Sequence, residues 1–257
     1  MGEEPTNRTD PAQAPAPQIC AVTISREYGS GGGEIAARLA QRLGWHLVDH
    51  EVVAQVARAL GVSEAEAAVH DEHVDSLAAR ILSSLNVLAS PVPAAFPDAF
   101  ATDWDEYDVA RRAAVQAACA HGRAVIVGRG GQVLLADRRD VLHARIVAPL
   151  EARVAYVQQR EGLSPAAAQA RVQAKDRDRE HFLQAEHHAS PADARLYDIV
   201  VNTGVLDLDS AVDVLLLALE RKGRRLTARP EELGPGAGLG RYPETPGNFA
   251  GPPAGDE

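Results

Sequence analysis

Apolar runs without helical periodicity alternate with helix-periodic stripes along most of this sequence. Residues 19–24, 124–127, 142–148 and 198–202 are short β-rich runs. The run at 124–127 predicts a strand buried on both faces, and the run at 198–202 predicts a final buried strand. Between them, Ile35, Leu39 and Leu43 recur at i, i+4 and i+8, as on the buried face of a helix. Strands that alternate with helices form parallel sheets. The pattern therefore predicts an α/β fold with one parallel sheet and helices on both faces.

Local signals mark where several of these helices begin and end. Gly44 stands at the position that closes a helix in the left-handed conformation, and Gly223 follows the last apolar stripe. Pro149 and the pair Ser164-Pro165 stand where helices begin, since proline is tolerated in a first helical turn. A further helix is expected over residues 52–60.

Composition limits the domain and its partners. Residues 1–18 and 229–257 are rich in Pro, Ala or Gly, which predicts disordered tails around one domain at 19–228, with a helical insertion at 63–108. The net charge of −10 argues against a nucleic-acid-binding surface. No apolar run reaches the roughly 20 residues of a membrane helix, and no signal peptide is recognisable. The expectation is a cytoplasmic protein with no membrane or nucleic-acid partner.

A glycine-rich loop joins the first predicted strand to the first helix. Strand, loop and helix N-terminus in this order create an anion site, because unpaired backbone N–H groups and the helix dipole converge where the loop ends. By itself the glycine run also fits a flexible turn. The candidate phosphate-binding residues are Gly29, Ser30, Gly31, Gly32, Gly33 and Glu34.

Several segments resemble the cytidylate kinase-like family, whose members are P-loop nucleotide kinase-like proteins. The first is Ile24-Ser25-Arg26-Glu27-Tyr28-Gly29-Ser30-Gly31-Gly32 followed by Glu34-Ile35-Ala36. Further segments follow in the family's order, at 125–130, 148–153, 175–179 and 197–203. The resemblance implies Mg²⁺-ATP bound on the glycine loop and phosphoryl transfer to a nucleoside monophosphate, CMP or dCMP. It also implies a lid over residues 153–190.

The glycine loop departs from the usual pattern G-x-x-x-x-G-K-[ST]. Aligned to it, the first glycine falls at Arg26, the lysine at Gly32 and the magnesium-binding hydroxyl near Glu34. Arg26 is the candidate replacement for the lysine charge, although a solvated loop arginine fits equally well. Glu34 is the candidate magnesium ligand. Gly130 falls where the cytidylate kinases carry an acidic residue.

Arginines elsewhere supply the remaining candidate cations. Arg129 follows a predicted buried strand at the edge where open α/β sheets bind ligands, which makes it a candidate acceptor-binding residue. The resemblance implies that Asp49, at the end of another strand, contacts the acceptor or its arginine partner, although an N-cap of the following helix fits nearly as well. Resemblance assigns the lid residues Arg153, Asp176, Arg177 and Arg179, of which Arg153 and Arg179 join Arg26 and Arg129 as candidate catalytic groups. Residues 175–180 also alternate in sign like a solvated helix face, and Asp176 suits either substrate contact or orientation of an arginine.

Other reactive side chains favour structural roles. The histidines at 70, 73, 187 and 188 lack the spacing of a metalloprotease helix and predict solvated surface, while Cys20 and Cys119 predict small core residues. Residues 202–204 fit either a strand-ending turn or the edge of an adenine site. Because the usual lysine is missing, a second hypothesis stands beside the kinase: a nucleotide-binding regulator that has lost transfer chemistry.

Overall fold

A parallel five-stranded sheet forms the centre of the protein. The computed structural model describes residues 19–49 and 103–234. All four strand pairings are parallel, in the order β2-β3-β1-β4-β5. The strands are β1 (Ala21–Arg26), β2 (His46–Val48), β3 (Ala124–Val127), β4 (Val141–Val147) and β5 (Ile199–Asn202). The predicted fold class is confirmed.

Helices connect the strands and cover the sheet. The six α-helices in the described residues are α1 (Gly32–Leu43), α2 (Asp103–His121), α3 (Gly131–Leu134), α4 (Leu150–Glu161), α5 (Pro165–His187) and α6 (Leu208–Gly223). Two 3₁₀ turns lie at Ala194–Leu196 and Pro230–Glu232. The predicted end signals function as expected. Gly44 closes α1 with a φ of 63°, and the Ser164 hydroxyl accepts a hydrogen bond from the Ala167 N–H at 3.3 Å.

Two apolar clusters hold the sheet between its helix layers. One packs β1, β3 and β4 against α2, and the other packs them against α1 and α6. The predicted core residues Ile24, Val127 and Val201 are all buried. Burial of these side chains holds each strand in a fixed position in the sheet. The loops that follow the strands are therefore held at the carboxyl edge.

The last strand is less buried than its sequence predicts. Within the described residues β5 lies at the edge of the sheet, and Val200 is 47% exposed while Val201 is 3% exposed. The prediction of a buried strand therefore holds for Val201 and is wrong for Val200. A run of Ile and Val has the same composition in an edge strand and a central strand, because strand order depends on contacts distant in sequence.

Several predicted segments lie outside the described residues. These are the tail at 1–18, the helix expected at 52–60, residues 63–102 of the predicted insertion, and residues 235–257 of the C-terminal tail. The α2 helix begins within the range assigned to the insertion, and Pro230–Glu232 within that assigned to the tail. In the described part of the chain, no helix combines the length and the apolar character needed to cross a membrane.

Candidate active site

The glycine loop leads from the carboxyl end of β1 into the N-terminus of α1. Ile35 is the first α1 residue whose N–H bonds to a carbonyl of the loop, at 3.0 Å from the Gly31 oxygen. The first N–H groups of a helix have no acceptor within the helix, and in α1 these are the N–H groups of residues 32–34. Such groups at a helix N-terminus form an anion-binding site. The predicted placement of Gly31 at a helix N-terminus is confirmed, since it is the N-cap.

Close packing holds the loop in one conformation. Gly31 has a φ of 77°, and a Cβ there would lie 2.6 Å from a methyl group of Leu208 on α6. The buried Ser30 hydroxyl donates to the Glu27 carbonyl at 2.9 Å. The Thr203 hydroxyl, just after β5, donates to the Ser30 carbonyl at 2.8 Å. Residues 202–204 therefore form a turn that supports the loop.

The Arg26 side chain crosses the loop where the usual lysine would begin. A Cβ on Gly32 would lie 2.6 Å from the Arg26 Cβ. At its far end, the Arg26 Nη1 fills the space beside Gly128, so a side chain at 128 would collide with it. The two glycines give the arginine a channel from the end of β1 to the end of β3. A lysine at 32 and an arginine at 26 are mutually exclusive in this packing.

Four arginines converge on one cavity at the carboxyl edge of the sheet. The cavity has a volume of about 220 Å³ and is lined by Arg26, Arg129, Arg145 and Arg179, together with the acidic residues Glu27, Asp176 and Glu180. Burial, followed by repulsion from Arg179 and Arg129, lowers the pKa of Arg26 to about 9. Burial also lowers the pKa of Arg179. Both groups remain cationic at neutral pH, at a cost in free energy that a bound anion would relieve.

The backbone around Arg129 is held in an unusual conformation. Residues 128–130 all have positive φ, including Arg129 at 58°, where a side chain is disfavoured. Arg111 of α2 is completely buried and donates a hydrogen bond to the Arg129 carbonyl. A Cβ on Gly130 would collide with the His187 ring, which explains why no acidic side chain stands there. His187 is half-buried with its Nε2 atom out of contact with solvent, in contrast to the predicted solvated surface, whereas His188 is exposed as predicted.

The helices of the predicted lid are tied to the loop by one carboxylate. Asp176 of α5 accepts a hydrogen bond from the Tyr28 N–H at 2.7 Å and from the Arg153 guanidinium of α4. Arg153 is buried and also donates to the Ala148 carbonyl at 2.9 Å. In this position it braces α4 and α5 and is not among the residues that line the described cavity. Asp176 thus orients an arginine, one of its two predicted roles.

The other lid arginines lie on opposite faces of α5. Arg179 faces the site, donating to the Arg26 carbonyl at 3.2 Å and lying 5.3 Å from the centre of the Tyr28 ring. Arg177 is exposed and does not line the cavity. The structure therefore divides the charged segment into an inward face with residues 176 and 179 and a solvated face with residues 177 and 178.

Glu34 is engaged by the lid. Its carboxylate accepts a hydrogen bond from the Tyr156 hydroxyl at 2.6 Å and pairs with Arg160 at 2.9 Å. Both contacts are made to the same oxygen, Oε1. The magnesium role of Glu34 therefore stays a prediction. Among the described residues no cluster of three acidic, His or Cys side chains is arranged to hold a metal.

Asp49 lies at the carboxyl end of β2, half-buried near the arginines. Its negative charge opposes the lowering of the Arg26 pKa. This places Asp49 at the same sheet edge as Arg26 and Arg129, as its position after a strand predicts.

Comparison with known proteins decides the family. The model of the cytidylate kinase-like family matches residues 21–205. The chain belongs to this family. The match runs from β1 beyond β5, so it includes the glycine loop, the Gly128-Arg129-Gly130 segment and the lid helices. Membership supports a nucleotide kinase-type function for the family member described here.

Comparison with solved structures supports the fold. The kinase-like protein resembles an uncharacterized protein from Eubacterium ventriosum, with a TM-score of 0.53 and 21% identity over 78% of this chain and 98% of the other. It also resembles a shikimate kinase from Acinetobacter baumannii, with a TM-score of 0.41 and 13% identity over 80% and 96% of the two chains. The likeness to the Eubacterium ventriosum protein is evidence for the fold alone.

One curated relative shares a short segment. A uronate isomerase from Corynebacterium glutamicum is 36% identical over 98 residues, which are 38% of the kinase-like chain and 19% of the relative. The aligned segment thus spans about a fifth of that enzyme's length. Its activity does not transfer on this basis.

Sequence reasoning misses two arginines of the site. Arg145 lies in β4 and stacks near the Tyr197 ring, at 5.7 Å from its centre, while Arg111 holds the Arg129 carbonyl from α2. A charged residue inside an otherwise apolar strand is a usable signal for Arg145. Arg111 has no comparable signal, because its neighbours on α2 are not part of a recognisable motif.

Proposed function

We propose that this protein transfers a phosphoryl group from ATP to a nucleoside monophosphate, CMP or dCMP, at the carboxyl edge of its sheet. The observation that carries the proposal is the convergence of Arg26, Arg129 and Arg179 on one cavity at the carboxyl end of β1, which is lined by none of residues 28–34. Phosphoryl transfer needs cations around the moving charge and little other chemistry from the protein. The family supports a kinase-type reaction, while ATP and the pyrimidine acceptor are part of the proposal.

The glycine loop would hold the ATP phosphates through backbone donors. The N–H groups at the start of α1 and the helix dipole suit a polyphosphate. Arg26 would supply the charge that the lysine gives in the usual loop, because its guanidinium is cationic at neutral pH and binds phosphate oxygens in a bidentate manner. Arg179, from the lid, would approach the same phosphates from the opposite side.

The acceptor would lie between Arg129 and Asp49. Arg129 follows β3 and lines the cavity, so its guanidinium suits the acceptor phosphate. Asp49, at the end of β2, suits a hydrogen bond to the acceptor or to an arginine that holds it. Holding both reactants in line supplies much of the rate enhancement, because a bimolecular step becomes effectively unimolecular.

The α4 and α5 helices would close the site and exclude water. Asp176 and Arg153 link these helices to the Tyr28 backbone, so lid position and loop conformation are coupled. Mg²⁺ would arrive with ATP and neutralise phosphate charge. Because Glu34 contacts Tyr156 and Arg160, the proposed mechanism includes no step at a protein-bound metal.

A second function is favoured by a specific contact. The Asp176 carboxylate lies on the Tyr28 N–H, an anion already bound to the loop. Together with the missing lysine, this suits a regulator that binds a nucleotide and changes its lid without catalysing transfer. The two functions differ in turnover and share nucleotide binding.

A coupled ADP-release assay across CMP, dCMP, UMP, AMP and GMP, with ATP binding measured by calorimetry, separates the two functions. The kinase proposal expects ADP release that depends on one or two of the acceptors. An Arg177→Ala variant should release ADP at the wild-type rate, because Arg177 is exposed on the solvated face of α5. ATP binding without ADP release from any acceptor would favour the regulator, and absence of ATP binding would reject both.

A further inference from the structure

A second cavity lies at the opposite edge of the sheet. It has a volume of about 580 Å³, within the usual range for small-molecule sites. Its walls come from the start of β4, the residues before β5 and the C-terminal end of α6. The glycine loop and the four arginines lie at the carboxyl ends of the strands, so this cavity lies at the other end of the sheet, and Gln132 lines both cavities.

Six of the residues that line this amino-edge cavity present apolar or aromatic surface. They supply a tyrosine ring and aliphatic side chains from four parts of the chain. These residues are Leu142, Leu196, Tyr197, Ala218, Leu226 and Leu233. Such surface contacts a hydrocarbon or aromatic group favourably, because apolar surface leaves water on binding.

The lining of the cavity is also strongly cationic. Six of the lining residues carry a positive charge and one, Asp198, a negative charge. Three cations have acidic partners, in the pairs Arg138–Asp140, Arg195–Asp193 and Lys222–Asp198, at 2.7, 2.8 and 2.6 Å. The other three lining cations are Arg139, Arg221 and Arg225.

These three arginines have no ion-pair partner within the described residues. Arg139 donates to the carbonyls of Arg225 and Ala228, at 3.1 and 2.9 Å, and neutral acceptors leave its charge uncompensated. Arg221 and Arg225 are exposed. Three uncompensated arginines around one cavity stand out in a chain whose net charge is −10. Their mutual repulsion is relieved by an anion at the mouth of the cavity.

The inner end of the cavity is rigid. Lining residue His143 is buried, with its Nδ1 2.7 Å from the Thr23 hydroxyl and its Nε2 3.2 Å from the Leu135 carbonyl. Asp198 accepts hydrogen bonds from the His143 N–H at 2.8 Å and from Lys222. A wall fixed in this way is available to a ligand without reorganisation, which lowers the cost of binding.

We propose that the amino-edge cavity is a second ligand site, for a small amphiphilic anion with a phosphate, sulfonate or carboxylate group on an apolar or aromatic body. The anionic group contacts Arg139, Arg221 and Arg225, and the apolar body lies against the leucines and Tyr197. This site does not depend on the kinase proposal. It gives the fold a ligand-responsive surface behind the catalytic edge.

The probe is 8-anilinonaphthalene-1-sulfonate, which carries one sulfonate on an aromatic body and fluoresces in apolar sites. The double variant R221Q/R225Q keeps the fold, since both side chains are exposed. We expect it to weaken probe binding about tenfold or more, because two charge-assisted contacts are lost. R224Q is the matched control, since Arg224 pairs with Glu220 and does not line the cavity. It should leave the affinity unchanged.

Two further measurements locate the probe. Uncharged N-phenyl-1-naphthylamine should bind wild type and R221Q/R225Q equally, because only the sulfonate senses the arginines. R179Q, which alters the cavity at the carboxyl edge, should leave the affinity for the sulfonate probe unchanged. An unchanged affinity in R221Q/R225Q, a weakened affinity in R179Q, or no binding to the wild type would each overturn the proposal.

Discussion

The side chain of Arg26 fills the volume that a side chain at Gly32 would need. A Cβ built on Gly32 would lie 2.6 Å from the Arg26 Cβ, closer than non-bonded carbon atoms approach. Position 32 is where the usual phosphate loop carries lysine. In this packing the Arg26 side chain therefore excludes a lysine at position 32.

The first prediction compares two neighbouring glycines. Gly32→Ala should lower the free energy of unfolding by about 1–3 kcal/mol, because the new methyl group overpacks against Arg26. Gly33→Ala is the matched control, since its Cβ would have nothing within 4 Å and alanine favours the helix by roughly 1 kcal/mol. Urea denaturation measures both. Equal stability of the two variants would mean that Arg26 does not occupy this channel in solution.

A second prediction concerns the link between lid and loop. Asp176→Ala should destabilise the protein by about 1–3 kcal/mol, because the buried Arg153 guanidinium and the Tyr28 N–H lose an acceptor. Asp178→Ala, on the exposed face of the same helix, should change stability by less than about 0.5 kcal/mol. Thermal and urea unfolding test the difference. If Asp178→Ala costs as much as Asp176→Ala, the loss reflects helix charge and not the lid contact.

The third prediction is a pH dependence of stability. Burial lowers the pKa of His143 below its usual value of about 6.5, with smaller contributions from Asp198, which raises it, and Lys222, which lowers it. Below about pH 6.5 the unfolded chain therefore binds a proton that the folded chain excludes. The free energy of unfolding should fall with decreasing pH, by up to about 1.4 kcal/mol per pH unit, until the folded pKa is reached.

The His143→Gln variant isolates this contribution. Glutamine does not titrate, so the difference in stability between wild type and variant should shrink as pH decreases from about 7.5 to about 5.5, across the usual histidine pKa. Urea titrations at intervals of half a pH unit measure that difference. Parallel curves for the two proteins would show that His143 is protonated equally in folded and unfolded chains.

Sequence patterns are sufficient for the order and type of the main elements. The apolar run at 124–127 forms the interior strand β3. Ser164 and Gly44 mark helix ends in the structure, as predicted. These features follow from local chemistry: burial, capping and the conformational freedom of glycine. The edge position of β5 is not predictable in this way, because strand order depends on long-range packing.

The candidate site can be predicted only in part, because some of its contacts depend on long-range packing. Position and resemblance identify Arg26, Arg129 and Arg179, which follow or face the carboxyl edge of the sheet. The catalytic role that resemblance assigns to Arg153 stays a prediction, while the structure places this residue in a brace with Asp176. The hydrogen bond from Arg111 to the Arg129 carbonyl joins residues 18 positions apart. It is a tertiary contact, and no local sequence pattern encodes it.

In the proposed mechanism, Arg26 supplies the cation of the missing lysine. Arg26→Gly should lower kcat by roughly a hundredfold or more, with a smaller effect on ATP affinity, because the charge acts mainly on the transition state. The same variant vacates the channel, so adding Gly32→Lys places a lysine at its usual position without the clash. The double variant should recover part of the lost kcat.

The most direct measurement is therefore kcat for ADP release with CMP and ATP, in wild type, Arg26→Gly and Arg26→Gly/Gly32→Lys, with a melting curve for each. We predict a loss of roughly a hundredfold in the single variant and recovery of at least about tenfold in the double variant. A folded Arg26→Gly protein with unchanged kcat, or a wild type that binds ATP and releases no ADP, would contradict this role of Arg26.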